Sequence, residues 1–290
     1  MTILEALIRA TEILRENKID NPCSTTEIFL SSVLNLKRVE LYLNKDRILT
    51  QQENEKFNSY LQQRISGKPI QYVTGEVGFF GLEFKIDPRA MIPRPETEVL
   101  VSEIVEQFKK TKKEFDPLKV VDIGTGSGVI AITLAKELAN SLIYATDISK
   151  DALELAKENA ERNDVEQRIE FIYGDLFEPL IEKNFENSID CVVSNPPYVK
   201  DSELGKLDKE IRNYEPKVAL LSGEDGIGFH KKITEGAVTY LKSGGLLAFE
   251  VGLGDAERLT EFIASNNSYE NIKIVKDLAG IKRVVLAMKR

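Results

Sequence analysis

Asp122-Ile123-Gly124-Thr125-Gly126-Ser127-Gly128 lies between the strand-like stretch Leu118-Lys119-Val120-Val121 and a helical stretch over 127–138. Three glycines in five residues allow a tight strand-to-helix turn and a close approach of ligand to backbone. The spacing is G-x-G-x-G, and Val129 stands where G-x-G-x-x-G needs its third glycine, so the dinucleotide fingerprint is not met.

Outward from this loop, strands and helices alternate. Candidate strands are 118–124, 141–148, 169–175, 189–195, 246–252, 271–277 and 282–289, with helices over 127–138, 150–163, 226–241 and 255–265. The Val/Ile runs suit strands buried on both faces, as in a parallel sheet. Only Leu278-Ala279-Gly280-Ile281 separates the last two strands, too little for a parallel crossover, so they pair as an antiparallel hairpin. The expected fold is α/β: a seven-stranded, doubly wound, Rossmann-like sheet with an antiparallel last strand.

Two acids sharpen the glycine loop. Asp147 ends the second strand, where a carboxylate can accept both hydroxyls of a ribose. Asp175 ends the third, placed to accept from an adenine amino group. Ligands of open α/β sheets bind at these carboxyl ends. The plainer alternative, that both acids cap helices, is weaker for Asp147 because Ser149 is available as a cap.

Asn195-Pro196-Pro197-Tyr198 follows the fourth strand at the same edge. The prolines fix the backbone and donate nothing, leaving the Asn195 side-chain oxygen and the Pro196 carbonyl as outward acceptors. Tyr198 offers a flat face for a planar group. The arrangement is a cradle for a conjugated NH2, whose delocalised lone pair makes a poor nucleophile. Positioning must then supply most of the rate, and neither His nor Cys is needed. Glu96 and Glu250 are read as supporting carboxylates rather than bases.

Ahead of the sheet, apolar residues at Ile3, Leu4, Leu7, Ile8, Ile13 and Leu14 follow a helical period. Ser24 with Glu27 and Thr50 with Glu53 have capping-box spacing. Gly67, Gly75, Gly78 and Gly81 then break the pattern, and 77–86 reads as a short aromatic strand pair. Two prolines hold 91–96 extended before a helix from about Val99 to Lys110. The expected organisation is a helical domain over 1–72, a β-hairpin linker over 73–95 and the sheet domain over 96–290.

Composition narrows the function. In 290 residues, 39 basic against 47 acidic side chains give a net charge of −8, which argues against a broad nonspecific duplex surface. Two cysteines, Cys23 and Cys191, make neither a disulfide framework nor a zinc site, and one histidine, His230, leaves little for metal or triad chemistry. No metal is expected. Cys191 reads as core, and His230, at a helix start, as surface or support behind the site. Phe79 and Phe80 read as hairpin packing, and Lys109, Lys110, Lys112 and Lys113 as a solvated helix end. No signal peptide or membrane span is visible, so the expectation is a cytoplasmic protein without membrane contact.

The glycine loop with Asp147 and Asp175 resembles the class I S-adenosylmethionine methyltransferases. That resemblance implies that Asp122, Gly124, Thr125, Gly126, Ser127 and Gly128 hold the methionine end, Asp147 and Ile148 the ribose, and Asp175, Leu176 and Phe177 the adenine, with Asn195 beside the cofactor. A narrower resemblance runs through 67–84, 91–101, 120–135, 194–199, 215–233 and 277–285. Pro93-Arg94-Pro95-Glu96-Thr97-Glu98 beside Asn195-Pro196-Pro197-Tyr198 is its most discriminating pair of motifs. These segments resemble the peptide-chain release factor glutamine methyltransferases of the PrmC/HemK type.

This second resemblance implies N5-methylation of the glutamine in the Gly-Gly-Gln motif of class 1 release factors, with S-adenosyl-L-homocysteine as the other product. Asn195, Pro196, Pro197 and Tyr198 would bind the glutamine amide, Arg94 and Glu96 would brace the site, and the helical domain and hairpin would receive the release factor. A monomer without direct nucleic-acid contact is expected. The rivals are a nucleic-acid amino methyltransferase using the same cradle, a non-enzymatic binding module on the same fold, and an NAD oxidoreductase, which Val129 and the reversed last strand disfavour.

Overall fold

The computed structural model describes residues 1–110 and 117–290. Contacts divide the chain into two compact units, Met1–Gly75 with Asp208–Tyr214, and Glu76–Leu207 with Glu215–Arg290.

The first unit packs α1 (Ile3–Glu16), α2 (Pro22–Leu34), α3 (Arg38–Leu43), α4 (Gln51–Ile65) and α5 (Ile70–Thr74) around Ile3, Leu14, Phe29, Leu41 and Phe57. Thr50 and Glu53 form the expected capping box of α4, and Thr2 with Glu5 forms another on α1. Ser24 does not cap α2. That helix opens two residues earlier at Pro22, because proline lacks the N–H that a first turn leaves unpaired. Glu27 is instead buried, accepting from Tyr42 and pairing with Arg38. The short helix Lys209–Tyr214, far away in sequence, completes this unit. Glu210 lies 2.6 Å from the buried Arg64, and the Tyr214 hydroxyl donates to the Ser66 carbonyl at 3.0 Å.

The second unit begins with the hairpin β1 (Glu76–Phe79) and β2 (Leu82–Lys85). Phe79 and Phe84 meet edge-to-face and pack into the core below the sheet, while Phe80 is half-buried beside them. Then come α6 (Pro95–Lys110), β3 (Leu118–Ile123), α7 (Val129–Glu137), β4 (Ser141–Asp147), α8 (Lys150–Arg162), β5 (Ile169–Tyr173) and β6 (Ile189–Ser194). After the short helix already assigned to the first unit, here α9, follow α10 (Gly228–Tyr240), β7 (Leu241–Glu250), α11 (Ala256–Ser265), β8 (Tyr269–Lys276) and β9 (Lys282–Lys289).

The sheet order is β5-β4-β3-β6-β7-β9-β8, with β9 antiparallel to both neighbours and the other pairs parallel. The chain reverses direction across the sheet between β3 and β6, which opens a crevice at that edge. Alternation along β3 explains why two adjacent residues, Val120 and Val121, are both apolar. Val120 faces the α6–α7 layer and Val121 the α10–α11 layer, and both are fully buried. Cys191 is buried in the first layer, as expected.

Helix α6 starts at Pro95, four residues before the expected start, with Glu96 and Glu98 in its first turn. Proline is preorganised for that position, and the acids suit the positive end of the helix. Glu98 also accepts the Phe80 N–H at 2.7 Å, which ties the hairpin to this turn. Lys109 pairs with Glu137 and Lys110 with Glu106, whereas Lys112 and Lys113 lie outside the described residues. No described helix is long and apolar enough to cross a membrane.

Candidate active site

The loop after β3 is held by its own backbone. The N–H groups of Gly124 and Thr125 both donate to the Thr146 carbonyl, at 2.9 and 3.0 Å. Gly126, at φ +58°, donates to the Asp147 carboxylate at 2.8 Å. Gly128, at φ +84°, is required twice over, since a Cβ there would lie 2.9 Å from Ile132 and 3.1 Å from Ala156. On the far side Asn159 of α8 donates to the Ser127 carbonyl and exchanges hydrogen bonds with both backbone groups of Lys85, so the hairpin and the loop share one anchor.

The two acids of this region sit differently. Asp122 is fully buried beneath the loop, where it accepts from the Thr125 hydroxyl at 2.7 Å, and burial pushes its carboxyl up to about 7. Asp147 ends β4 and opens onto the crevice. Burial raises its pKa, while the N–H groups of Ser149 and Gly126 hold the carboxylate and oppose that rise. Ser149 caps α8 by accepting from Ala152, which leaves Asp147 without a capping duty.

One cleft at the carboxyl edge of β3 to β6 is lined by Gly124, Thr125, Gly126, Ser127, Asp147, Ile148, Asp175, Leu176, Asn195, Pro196 and Pro197. Eleven residues from four separate segments thus meet around one space. Six others singled out from the sequence do not line it. Asp122 and Gly128 lie behind the loop, and Phe177 turns inward to stack on Tyr240 at 5.1 Å. Tyr198 packs its ring over Gly252, where a Cβ would come within 3.1 Å, and burial with the nearby Glu250 pushes its hydroxyl up to about 12. Arg94 is drawn aside to Glu215, and Glu96 is half-buried in the first turn of α6.

At the wall beside Asn195 a chain of polar groups emerges that the sequence reading did not assemble. Thr97 of α6 donates to Glu250 at 2.5 Å and accepts from the Asn195 side-chain N–H at 3.3 Å. Glu250 is nearly fully buried, and burial pushes it up to about 7. The Asn195 side-chain oxygen is buried with no hydrogen-bond partner among the described residues. His230 is not at the surface. It is wholly buried, its Nε2 lies 2.9 Å from the Glu250 carbonyl, and burial drives its pKa down to about 4. Among the described residues no group of three or more His, Cys, Asp or Glu could hold a metal ion.

Comparison with known proteins bears on what this cleft serves. A model of the PrmC N-terminal domain matches residues 5–75, and one of the methyltransferase small domain matches 95–211. The chain is 35% identical to the release factor glutamine methyltransferase of Chlorobaculum tepidum over 99% of its own length and 97% of the relative's. The Clostridium acetobutylicum relative of the same description is 36% identical, covering 100% and 99%. This chain belongs to the release factor glutamine methyltransferase family.

In fold, this member of the release factor glutamine methyltransferase family also resembles the hMettl16 catalytic domain, solved with the MAT2A 3′UTR hairpin 6. The TM-score is 0.56 at 17% identity, over 82% of this chain and 81% of that one. For a release factor glutamine methyltransferase, Thr97, Glu250 and Asn159 are the residues the sequence left unremarked or in a minor role. Glu250 could be suspected only as a carboxylate at a strand end. Thr97 stood in the Pro93–Glu98 motif but with no role, and Asn159 carried no signal, because their partners lie 98 or more and 32 or more residues away along the chain.

Proposed function

We propose that this enzyme transfers a methyl group from S-adenosylmethionine to the side-chain amide nitrogen of the glutamine in the Gly-Gly-Gln motif of class 1 release factors. The observation that carries the reading is the buried, unpartnered Asn195 oxygen at the wall of a cleft whose other side is the glycine loop and Asp147. An orphaned buried acceptor costs about 1–3 kcal/mol, and an incoming N–H recovers it.

The residues present suit this cofactor. A Cβ at Gly124 or Gly126 would point into open space, so these positive-φ positions present bare backbone to the cleft. Asp147 has a carboxylate left free of capping for a pair of ribose hydroxyls, and Asp175 with Leu176 offers an acceptor beside an apolar surface for the adenine. Asp122 acts from below, tethering Thr125. When bound, S-adenosylmethionine supplies an electrophilic sulfonium methyl.

The chain's own residues do the rest. The Asn195 oxygen and the Pro196 carbonyl accept the two amide N–H bonds of the substrate. They hold its nitrogen in one plane and favour the positive charge that grows there. Pro197 stiffens this turn, and Tyr198 backs it. No general base is invoked, because the methylated amide nitrogen is acidic enough to lose its proton to water.

The test is a transfer assay with a purified class 1 release factor, read by peptide mass spectrometry. A single methyl on the Gly-Gly-Gln glutamine is expected with the wild type. Asn195→Ala should give none while keeping its affinity for S-adenosylmethionine. No transfer to the protein despite tight cofactor binding would overturn the substrate and favour a nucleic-acid amine.

A further inference from the structure

We propose that Thr97 and Glu250 are positioning residues that set the direction in which Asn195 presents its amide, with the oxygen toward the substrate. The proposal rests on the reading of Asn195 as the acceptor for the substrate amide. It assigns a task to two side chains that touch neither substrate nor cofactor in that reading.

Proton counting gives the direction. A threonine hydroxyl has one proton. The ionised Glu250 carboxylate can only accept, so the Thr97 hydroxyl gives its proton there, across 2.5 Å. Toward Asn195, 3.3 Å away, Thr97 then has only a lone pair to offer, and Asn195 must answer with its NH2. The oxygen is therefore turned away, and it is the atom left without a partner. Reversal would put two donors face to face, the Asn195 NH2 against the substrate N–H. An amide whose two ends are nearly the same size has no steric reason to choose. The choice comes from the Glu250 carboxylate, which acts through the Thr97 proton and by its own pull on the Asn195 NH2.

Three separate elements supply the chain. Glu250 ends β7, Thr97 lies in the first turn of α6, and Asn195 follows β6. The early start of α6 at Pro95 puts the hydroxyl within reach of both. Pro93-Arg94-Pro95-Glu96-Thr97 thus reads less as a binding motif than as the device that delivers Thr97.

The test compares variants that keep volume but change proton direction. Thr97→Ser retains the hydroxyl and should keep kcat within about twofold. Thr97→Val removes it and should lower kcat roughly tenfold or more, the scale of one misdirected hydrogen bond, with S-adenosylmethionine affinity unchanged. Glu250→Gln should lower kcat as far or further, since its amide can donate to Thr97 and reverse the chain, whereas Glu250→Asp should recover part of the loss. Equal kcat for Thr97→Val and the wild type would overturn the proposal, as would a Thr97→Ser loss matching that of Thr97→Val.

A second readout needs no substrate. In protein labelled with 15N-asparagine, the Asn195 side-chain NH2 pair, assigned by its loss in Asn195→Asp, should be sharp and slow to exchange. It should broaden in Thr97→Val but not in Thr97→Ser. An unchanged pair in Thr97→Val would overturn the positioning role. Should the wild type fail to methylate a release factor, that result removes the proposed substrate, and the amide signal still decides the role of Thr97.

Discussion

Arg94 places its guanidinium 2.6 Å from Glu215, a carboxylate 121 residues further along the chain whose side chain is almost wholly enclosed. The pair joins the turn before α6 to the segment that lines the cleft at Pro216, Val218 and Ala219. Burial raises the pKa of Glu215, and Arg94, helped by the Ile92 N–H, opposes that rise.

Removing one partner of such a pair strands the other. Arg94→Met should lower stability by about 2–3 kcal/mol, below the full range for buried pairs because Arg94 is a quarter exposed. Arg94→Met with Glu215→Gln should recover most of it. Urea unfolding of the two variants checks this, and equal losses would show that Arg94 acts through packing alone.

Gly128→Ala should destabilise by about 1–3 kcal/mol and weaken cofactor binding together. The new methyl meets Ala156 at 3.1 Å, where the α8 backbone cannot yield, and the residue is held at φ +84°. Gly126→Ala meets nothing and carries only the φ penalty. Thermal melts of the two variants should therefore rank Gly128→Ala as the worse.

For Asp147→Ala, two charge-assisted hydrogen bonds to backbone N–H disappear along with the expected ribose contacts. Calorimetric titration should show S-adenosylmethionine binding weakened roughly tenfold to a hundredfold. An affinity equal to the wild type's would exclude the ribose role.

Asp122 gives stability a particular pH dependence. Its carboxyl is pushed up to about 7 by burial, against an ordinary 3.8, so between those values the folded chain keeps a proton that the unfolded chain has lost. Its contribution is complete below about pH 4 and falls as pH rises through 7. Asp122→Asn stays neutral and can still accept from Thr125. The melting temperature of the variant should thus gain on the wild type by at least about 2 °C between pH 4.5 and 7.5. A constant difference would mean that Asp122 is ionised throughout.

Transfer activity has its own pH window. Glu250 is pushed up to about 7 by burial and by the Glu96 charge, against the pull of Thr97, Arg283 and Asn195. The other groups around it are the Tyr198 hydroxyl, raised to about 12, and His230, lowered to about 4, so neither titrates near 7. Protonated Glu250 no longer fixes the Thr97 proton, and kcat should therefore rise with pH through about 7. The same profile measured in Glu250→Gln should lose most of this rise, leaving only what Asp122, beneath the loop, contributes near 7.

Sequence alone carried the sheet and the edge at which the cleft opens. A parallel sheet covered on both faces demands adjacent apolar residues in its strands, and Val120-Val121 and Val192-Val193 display them without any long-range information. The glycines, Asp147 and the Asn195-Pro196-Pro197 turn were legible for a similar reason. Each sits at the junction of a strand with its next loop, and the chemistry is carried by residue type and local backbone.

Only the tertiary structure decided how these groups are aimed. Phe177 and Tyr198 turn away from the cleft because neighbours remote in sequence, Tyr240 and Gly252, accept their rings. Of the two places expected for His230, the surface and a position behind the site, packing chose the second, against the Glu250 carbonyl. The Glu250–Thr97–Asn195 chain exists because β7, α6 and β6 converge, and a hydrogen-bond direction is set by which donor and acceptor are brought within reach of each other. Local pattern specifies where a strand ends and what it carries there. The orientation of an amide depends on partners 98 and 153 residues apart in the chain, and folding alone brings those together.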